Sequence, residues 1–169
     1  LSEKQIVGEP CGRDTAACIG LAAALIAPRD PEAVMLVMPA DHVIEPAQEF
    51  RRAALAAEQL VQDHPAALVT FGLTPTFAAT GYGYIHLGEA DTILAGFRVF
   101  RSARFLEKPD AATAAKFLES GRYVWNSGMF VWRADRFLHE VERQLPELHG
   151  ALMRIDAAAD EDEFQQRLA

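Results

Sequence analysis

Cysteine is scarce in this chain, basic charge is outweighed, and no apolar run is long. Only two cysteines occur in 169 residues, Cys11 and Cys18, seven apart and without CxxC or Cys/His metal spacing. That excludes a disulfide scaffold and a zinc site, and it predicts free thiols in a reducing compartment. Lysine and arginine number 16 against 24 aspartates and glutamates, a formal net charge of −8. A non-specific nucleic-acid binder needs a basic face, so no nucleic-acid partner is expected. Small anionic ligands remain open, because a few local cations and backbone amides suffice to hold a phosphate. The apolar runs break well short of the roughly 20 residues of a membrane span. The opening Leu1-Ser2-Glu3-Lys4 is unlike a signal peptide. A cytoplasmic protein without a membrane partner is therefore expected. Repeats and low-complexity segments are absent.

What is present is an ordinary globular composition, 50% hydrophobic and 24% charged, read as one domain over residues 1–169. The run Ala33-Val34-Met35-Leu36-Val37-Met38 is bounded by Pro28, Asp30 and Pro31 before it and Pro39 after it. It predicts a strand buried on both faces, of the kind found in parallel sheets covered by helices. Ligands in such sheets bind at the carboxyl ends of strands. Asp41, in Pro39-Ala40-Asp41-His42, stands at such an end. It suits a hard metal ion with a phosphate, or equally a turn or helix cap.

The rest of the chain alternates strands and helices. A short strand is expected to end at Glu9. The turn Glu9-Pro10-Cys11-Gly12-Arg13 leads into an alanine-rich helix capped by Asp14 or Thr15 and running toward Ala27. A loop ending at a helix N-terminus offers amides to an anion or a base edge. Phe50, Ala53, Ala54, Ala57, Leu60 and Val61 recur at helical spacing, which predicts a helix over 47–62. Residues 66–73 read as the second strand of a βαβ unit. Gly81-Tyr82-Gly83 opens a further strand through Leu87, either a hairpin entry or a place where backbone meets ligand. The next strand, 97–106, runs into Glu107-Lys108-Pro109-Asp110. At an irregular strand end Glu107 and Lys108 can point into one cleft, accepting sugar hydroxyls and neutralising a phosphate, or they can form a surface ion pair. Asp110 caps a helix that Gly121 stops. Gly128 marks a bulge or a close backbone approach in the aromatic strand 125–132, beside Asn126, whose donors and acceptors suit a sugar hydroxyl. Helices follow over 134–144 and around Leu148, Leu152 and Ile155, and the acidic run 160–163 reads as the start of a last helix.

Five segments occur in an order that resembles the mannose-1-phosphate guanylyltransferases, a branch of the sugar-nucleotide pyrophosphorylases. They are Glu9-Pro-x-Gly-Arg-x-Thr-Ala, Pro39-Ala-Asp-His, Thr80-Gly-Tyr-Gly-Tyr-Ile, Phe105-x-Glu-Lys-Pro-Asp and Trp125-Asn-Ser-Gly-Met-Phe. The resemblance covers nearly all of the chain to about Leu148. It implies a Rossmann-like GT-A nucleotidyltransferase fold, with a mixed, mostly parallel sheet between helices. It implies reaction of GTP with mannose 1-phosphate to give GDP-mannose and pyrophosphate, with Mg²⁺ as cofactor. By the same resemblance Asp41 holds the metal and acts in catalysis with Lys108, which meets the sugar's phosphate. Glu9, Pro10, Gly12, Arg13 and Thr15 line the guanine pocket, where a carboxylate accepts from N1–H and the N2 amino group. Gly83, Glu107 and Asn126 bind the mannose ring.

The departures from the pattern are equally specific. The family's opening glycine-rich loop has no counterpart here, nor does its later metal-binding aspartate. The chain thus resembles the interior of a larger catalytic domain without its N-terminal strand units, and it is expected to have little transferase activity alone. Exposed sheet edges left by missing strands would favour a homo-oligomer. Ala78-Ala79 stands where the family has Pro-Glu, an expected source of a looser loop or an altered sugar contact. Two other readings remain open: a nucleotidyltransferase for another sugar 1-phosphate, and a pyrophosphorylase-like protein that senses GDP-mannose.

Overall fold

The computed structural model describes residues 6–9 and 11–156. Pro10 and the expected last helix beyond residue 160 lie outside the described residues, and Ile6–Glu9 form no strand. Among the described residues, five helices and five strands follow one another. They are α1 (Thr15–Ile26), β1 (Val34–Val37), α2 (Ala47–Asp63), β2 (Val69–Leu73), β3 (Tyr84–Leu94), β4 (Phe97–Leu106), α3 (Ala111–Ser120), β5 (Tyr123–Arg133), α4 (Ala134–Gln144) and α5 (Pro146–Asp156). The chain gathers into two compact units. One holds the residues up to Met35 and from Trp132 onward; the other is Leu36–Val131.

The sheet order is β1-β5-β3-β4, with β2 also pairing β5. A mixed α/β fold is therefore present, but its parallel character is less than expected. β2 with β5, β3 with β4 and β3 with β5 are all antiparallel. The cause is local: Ala95-Gly96 joins β3 to β4, and a two-residue connection can only reverse the chain. Both turn residues have positive φ, 51° and 88°, as a hairpin turn matched to strand twist requires. β1 also differs from expectation. Only Met35 of it is buried, and Leu36 is 42% exposed, because β1 ends the strand order instead of lying in its middle.

In the first unit, the small residues of α1 permit close approach by α5. A Cβ on Gly20 would lie 2.6 Å from Leu152 Cδ1, and Leu152 is only 3% exposed. The start of α4 is tied to the preceding loop, Ala134 N–H donating to Ala33 O and Asp135 N–H to Pro31 O. Arg133 adds ion pairs to Asp135 and Glu32. Its guanidinium is the main reason the Asp135 carboxyl is held below the usual carboxylate range.

In the second unit, Tyr84, Ala114 and Phe117 form a buried cluster, with Leu106, Tyr123 and Trp125 packed against it. α3 begins at Asp110, whose Oδ1 accepts from Thr113 N–H at 2.7 Å, and ends at Gly121 with φ 62°. Both ends are as its sequence predicts. α2 reaches the tip of the β3–β4 hairpin through Arg52. Its Nη2 donates to Ala95 O at 3.0 Å, and its guanidinium sits 5.5 Å from the Phe97 ring centre.

Candidate functional site

Strand pairing sorts the end of the sheet into an apolar row and a polar row. Tyr84 pairs with both Leu106 and Trp125, and Trp125 also pairs with Leu73. Paired residues share a face, and chain neighbours face opposite sides. The row Leu106–Tyr84–Trp125 packs into the buried cluster. The next row therefore faces away from it: Gly72 opposite Asn126, whose N–H donates to Gly83 O at 2.8 Å, with Glu107 just past the end of β4. Three of the expected sugar-binding residues thus meet. A Cβ built on Gly83 would lie 2.8 Å from Glu107 Oε2 and 3.6 Å from Asn126 Cβ. Glycine is needed at that point so that the carboxylate can stand over the backbone.

The loop that brings Gly83 to this position is well tied. Tyr82 and Phe77 pack edge-on against Trp125, with ring centres 5.1 and 5.0 Å away. Tyr84 Oη donates to Ala79 O at 2.8 Å, and Ala79 is buried. The Ala78-Ala79 departure leaves this loop anchored, not loose.

Glu107 and Lys108 do share the irregular strand end. Lys108 Nζ lies 3.9 Å from Glu107 Oε1, and both side chains are mostly exposed. A pair so hydrated contributes little to stability, which leaves both groups available to a ligand. Lys108 has φ 41°, a left-handed conformation unusual for lysine and disfavoured again by the following Pro109. Strain of this kind costs on the order of 1–3 kcal/mol and is found where a site needs it.

Asn126 lies at the lip of a wide bulge. From Thr70 to Gly72 β2 advances two residues, while β5 advances four, from Phe130 back to Asn126. Ser127, Gly128 and Met129 accordingly face Phe71 alone. Gly128 takes φ 70°. Pro39 Cγ lies 3.6 Å from the position of a Gly128 Cβ, so the turn carrying Asp41 abuts the bulge. Asp41 itself is exposed in that turn. Ser127 is a residue that sequence reasoning passed over. Its signal was a small hydroxyl next to glycine inside an aromatic strand, where the hydroxyl can replace a broken ladder bond.

The expected base-reading segment belongs to the first unit. Glu9, Gly12, Arg13 and Thr15 are exposed, and Thr15 opens α1. Asp14 occupies the cap position but makes no side-chain bond to the helix. Among the described residues beyond its chain neighbours, nothing lies within 4 Å of a Cβ position on Gly12. One turn into the helix, partial burial pushes the Cys18 thiol up, with the Glu9 carboxylate adding to the effect. Both cysteines are free and exposed. Among the described residues, no helix is long and apolar enough to cross a membrane.

At this end of the α/β sheet a carboxylate, an ammonium and a carboxamide, from Glu107, Lys108 and Asn126, lie around Gly83. The family model described as Nucleotidyl transferase matches residues 2–167, and this chain belongs to that family. It is 45% identical over 124 residues to mannose-1-phosphate guanylyltransferase RfbM of Salmonella typhimurium, covering 72% of this chain and 25% of that protein. Among solved structures it is similar to mannose-1-phosphate geranyltransferase from Thermus thermophilus. The TM-score is 0.78 and the identity 33%, over 95% of this chain and 45% of that one. It is also similar to mannose-6-phosphate isomerase from Helicobacter pylori, with TM-score 0.72 and 32% identity over 89% of this chain and 53% of that one. The chain spans about a quarter of the length of the curated relatives it matches.

Proposed function

We propose that this chain is part of a mannose-1-phosphate guanylyltransferase, an enzyme that joins GTP and mannose 1-phosphate into GDP-mannose and releases pyrophosphate. The observation that carries the reading is the meeting of Glu107 and Asn126 over Gly83, with Lys108 beside them. A carboxylate accepts hydrogen bonds from sugar hydroxyls, and a carboxamide donates to their oxygens. An ammonium on the same strand end neutralises the phosphate of that sugar as a point charge. The phosphate oxygen of mannose 1-phosphate then attacks the α-phosphorus of GTP, and the bond to the pyrophosphate oxygen breaks. Holding the two substrates in line and offsetting their charge supplies most of the rate.

In this reading Glu9, Pro10, Gly12, Arg13 and Thr15 receive the guanine. The Glu9 carboxylate accepts from N1–H and the N2 amino group, which adenine cannot match. Asp41 is the group we assign to Mg²⁺. Among the described residues no three His, Cys, Asp or Glu side chains cluster as a metal cage. A single carboxylate fits this ion nonetheless, because Mg²⁺ takes one or two carboxylates and completes its shell with phosphate oxygens and water. When bound, the ion would neutralise phosphate charge and orient the phosphates. A nucleoside triphosphate substrate suits a cytoplasmic enzyme, and the end position of β1 in the strand order favours a homo-oligomer.

Titration calorimetry with mannose 1-phosphate, glucose 1-phosphate and GDP-mannose in the presence of Mg²⁺ tests the reading. Preferential binding of the two mannose ligands, lost in Asn126→Ala, is the expected result. Equal binding of glucose 1-phosphate, or none of the three by the folded chain, would overturn it.

A further inference from the structure

We propose that Ser127 is a positioning residue for the sugar site: its buried hydroxyl builds the bulge that fixes which end of the Asn126 carboxamide faces the ligand. The proposal rests on the sugar-binding reading of Asn126 given above. Ser127 is the buried polar side chain among the described residues, 6% exposed. Its Oγ–H donates to Phe71 O at 2.7 Å, and its Oγ accepts from Met129 N–H at 3.2 Å. These are the backbone groups that the register shift takes out of the β2–β5 ladder. One hydroxyl thus satisfies an acceptor on one strand and a donor on the other, in a place where an unpaired polar group would be costly. Thr70 Oγ1 reinforces the same turn by donating to Met129 O at 3.0 Å.

The bulge in turn governs Asn126. With Ser127 so held and Gly128 at φ 70°, the Gly128 N–H points back and donates to Asn126 Oδ1 at 3.2 Å. A backbone N–H can only donate, so the atom facing it must be the carboxamide oxygen. The NH₂ group is left to the ligand side, on the face shared with Gly83 and Glu107. Asn126 is therefore a donor in this site and Glu107 an acceptor. Such a pair addresses a hydroxyl-bearing ring through both the oxygen and the hydrogen of its hydroxyls, which suits a hexose phosphate. Without the Ser127 hydroxyl the bulge loses the bonds that define it, and the carboxamide is free to turn its oxygen outward. That oxygen would face the Glu107 carboxylate acceptor against acceptor, with no proton to share between them.

The test combines ligand affinity with a direct view of the carboxamide. The Asn126 side-chain NH₂ resonances, assigned by their loss in Asn126→Ala, are followed in Ser127→Ala. Affinities for mannose 1-phosphate and GTP are measured for the wild type, both single variants and the double variant. We expect the NH₂ resonances to shift in Ser127→Ala and the dissociation constant for mannose 1-phosphate to rise about tenfold. GTP binding should be unchanged. The double variant should bind no more weakly than Asn126→Ala, because Ser127 acts through Asn126. Unshifted NH₂ resonances, or a Ser127→Ala loss that persists in full on the Asn126→Ala background, would overturn the inference. Should Ser127→Ala fail to fold, Ser127→Cys keeps the volume with a weaker donor and must show the same NH₂ shift and a smaller loss. If wild type and Asn126→Ala bind mannose 1-phosphate alike, it is the sugar reading that fails, and the NH₂ resonances still decide whether Ser127 sets the carboxamide.

Discussion

Glu107 Oε2 stands 2.8 Å from where a Cβ on Gly83 would project. An alanine at Gly83 would push the carboxylate aside and leave the strand in place, because the displaced atom is the end of a flexible side chain. Gly83→Ala should therefore keep its stability to within about 0.5 kcal/mol. Its affinity for mannose 1-phosphate should fall roughly 10- to 100-fold, the worth of one hydrogen bond to a charged group. Chemical denaturation paired with calorimetry checks both halves.

Lys108 holds a left-handed backbone in front of a proline. Glycine relaxes that conformation and alanine does not. Lys108→Gly should be more stable than Lys108→Ala by about 1 kcal/mol. Both should bind the sugar phosphate more weakly than wild type, since both lack the ammonium. Equal unfolding midpoints for the two variants would show that the backbone there is unstrained.

Asp110 caps α3, and its carboxyl is held below the usual range chiefly by the backbone hydrogen bond from Thr113. A folded-state value depressed below the unfolded one gives stability that is present above the unfolded carboxylate pKa of about 3.9. That contribution disappears as pH falls through the lower, folded value. Asp110→Asn keeps a capping oxygen that does not titrate. Its unfolding temperature should decline less steeply than that of wild type on acidification from pH 5 to about pH 2. Parallel slopes would mean that the cap does not report on this carboxylate.

Gly20 of α1 lies directly against Leu152 of α5, and Leu152 has no exposed space to swing into. Gly20→Ala should cost about 1–3 kcal/mol through overpacking, despite alanine's better helix propensity. Shortening the opposing side chain in Gly20→Ala/Leu152→Val should recover part of that loss, read as the unfolding midpoint in urea.

The helices were legible because their signals are local. Asp110 and Gly121 bound α3 as expected, and the apolar spacing of α2 and α4 fixes them to within a residue. An irregularity at Gly128 was legible for the same reason, whereas the grouping of Gly83, Glu107 and Asn126 came only from the resemblance to a known family, since the pairing that joins their strands links distant segments. What escaped is set by pairing between distant segments. Gly88 to Leu94 lacks a strand pattern, with exposed polar residues and register shifts, and extends β3 only because β4 is there to pair with it. β1 reads as a doubly buried strand from composition, yet its burial depends on how many strands lie beyond it. The direction of a neighbouring strand leaves no mark in a strand's own residues, so the antiparallel ladders could not be foreseen from Val69–Leu73 or Tyr123–Arg133. Ser127 escaped because its role is defined by a carbonyl 56 positions away.

The grip of Arg52 on the hairpin tip also bears on the far end of that hairpin. A protruding arm held only at its base is a cantilever, and any bending of the arm is felt as leverage at the base. Here the base is the pairing of Tyr84 with Leu106, immediately before Glu107, and the tip at Ala95 is fastened to α2. With both ends supported the arm is a beam, and solvent buffeting of its exposed middle, Glu89 to Ile93, is shared between two abutments. The strand end beside Gly83 is thereby tied, through the hairpin, to an arginine at the opposite end of the strand.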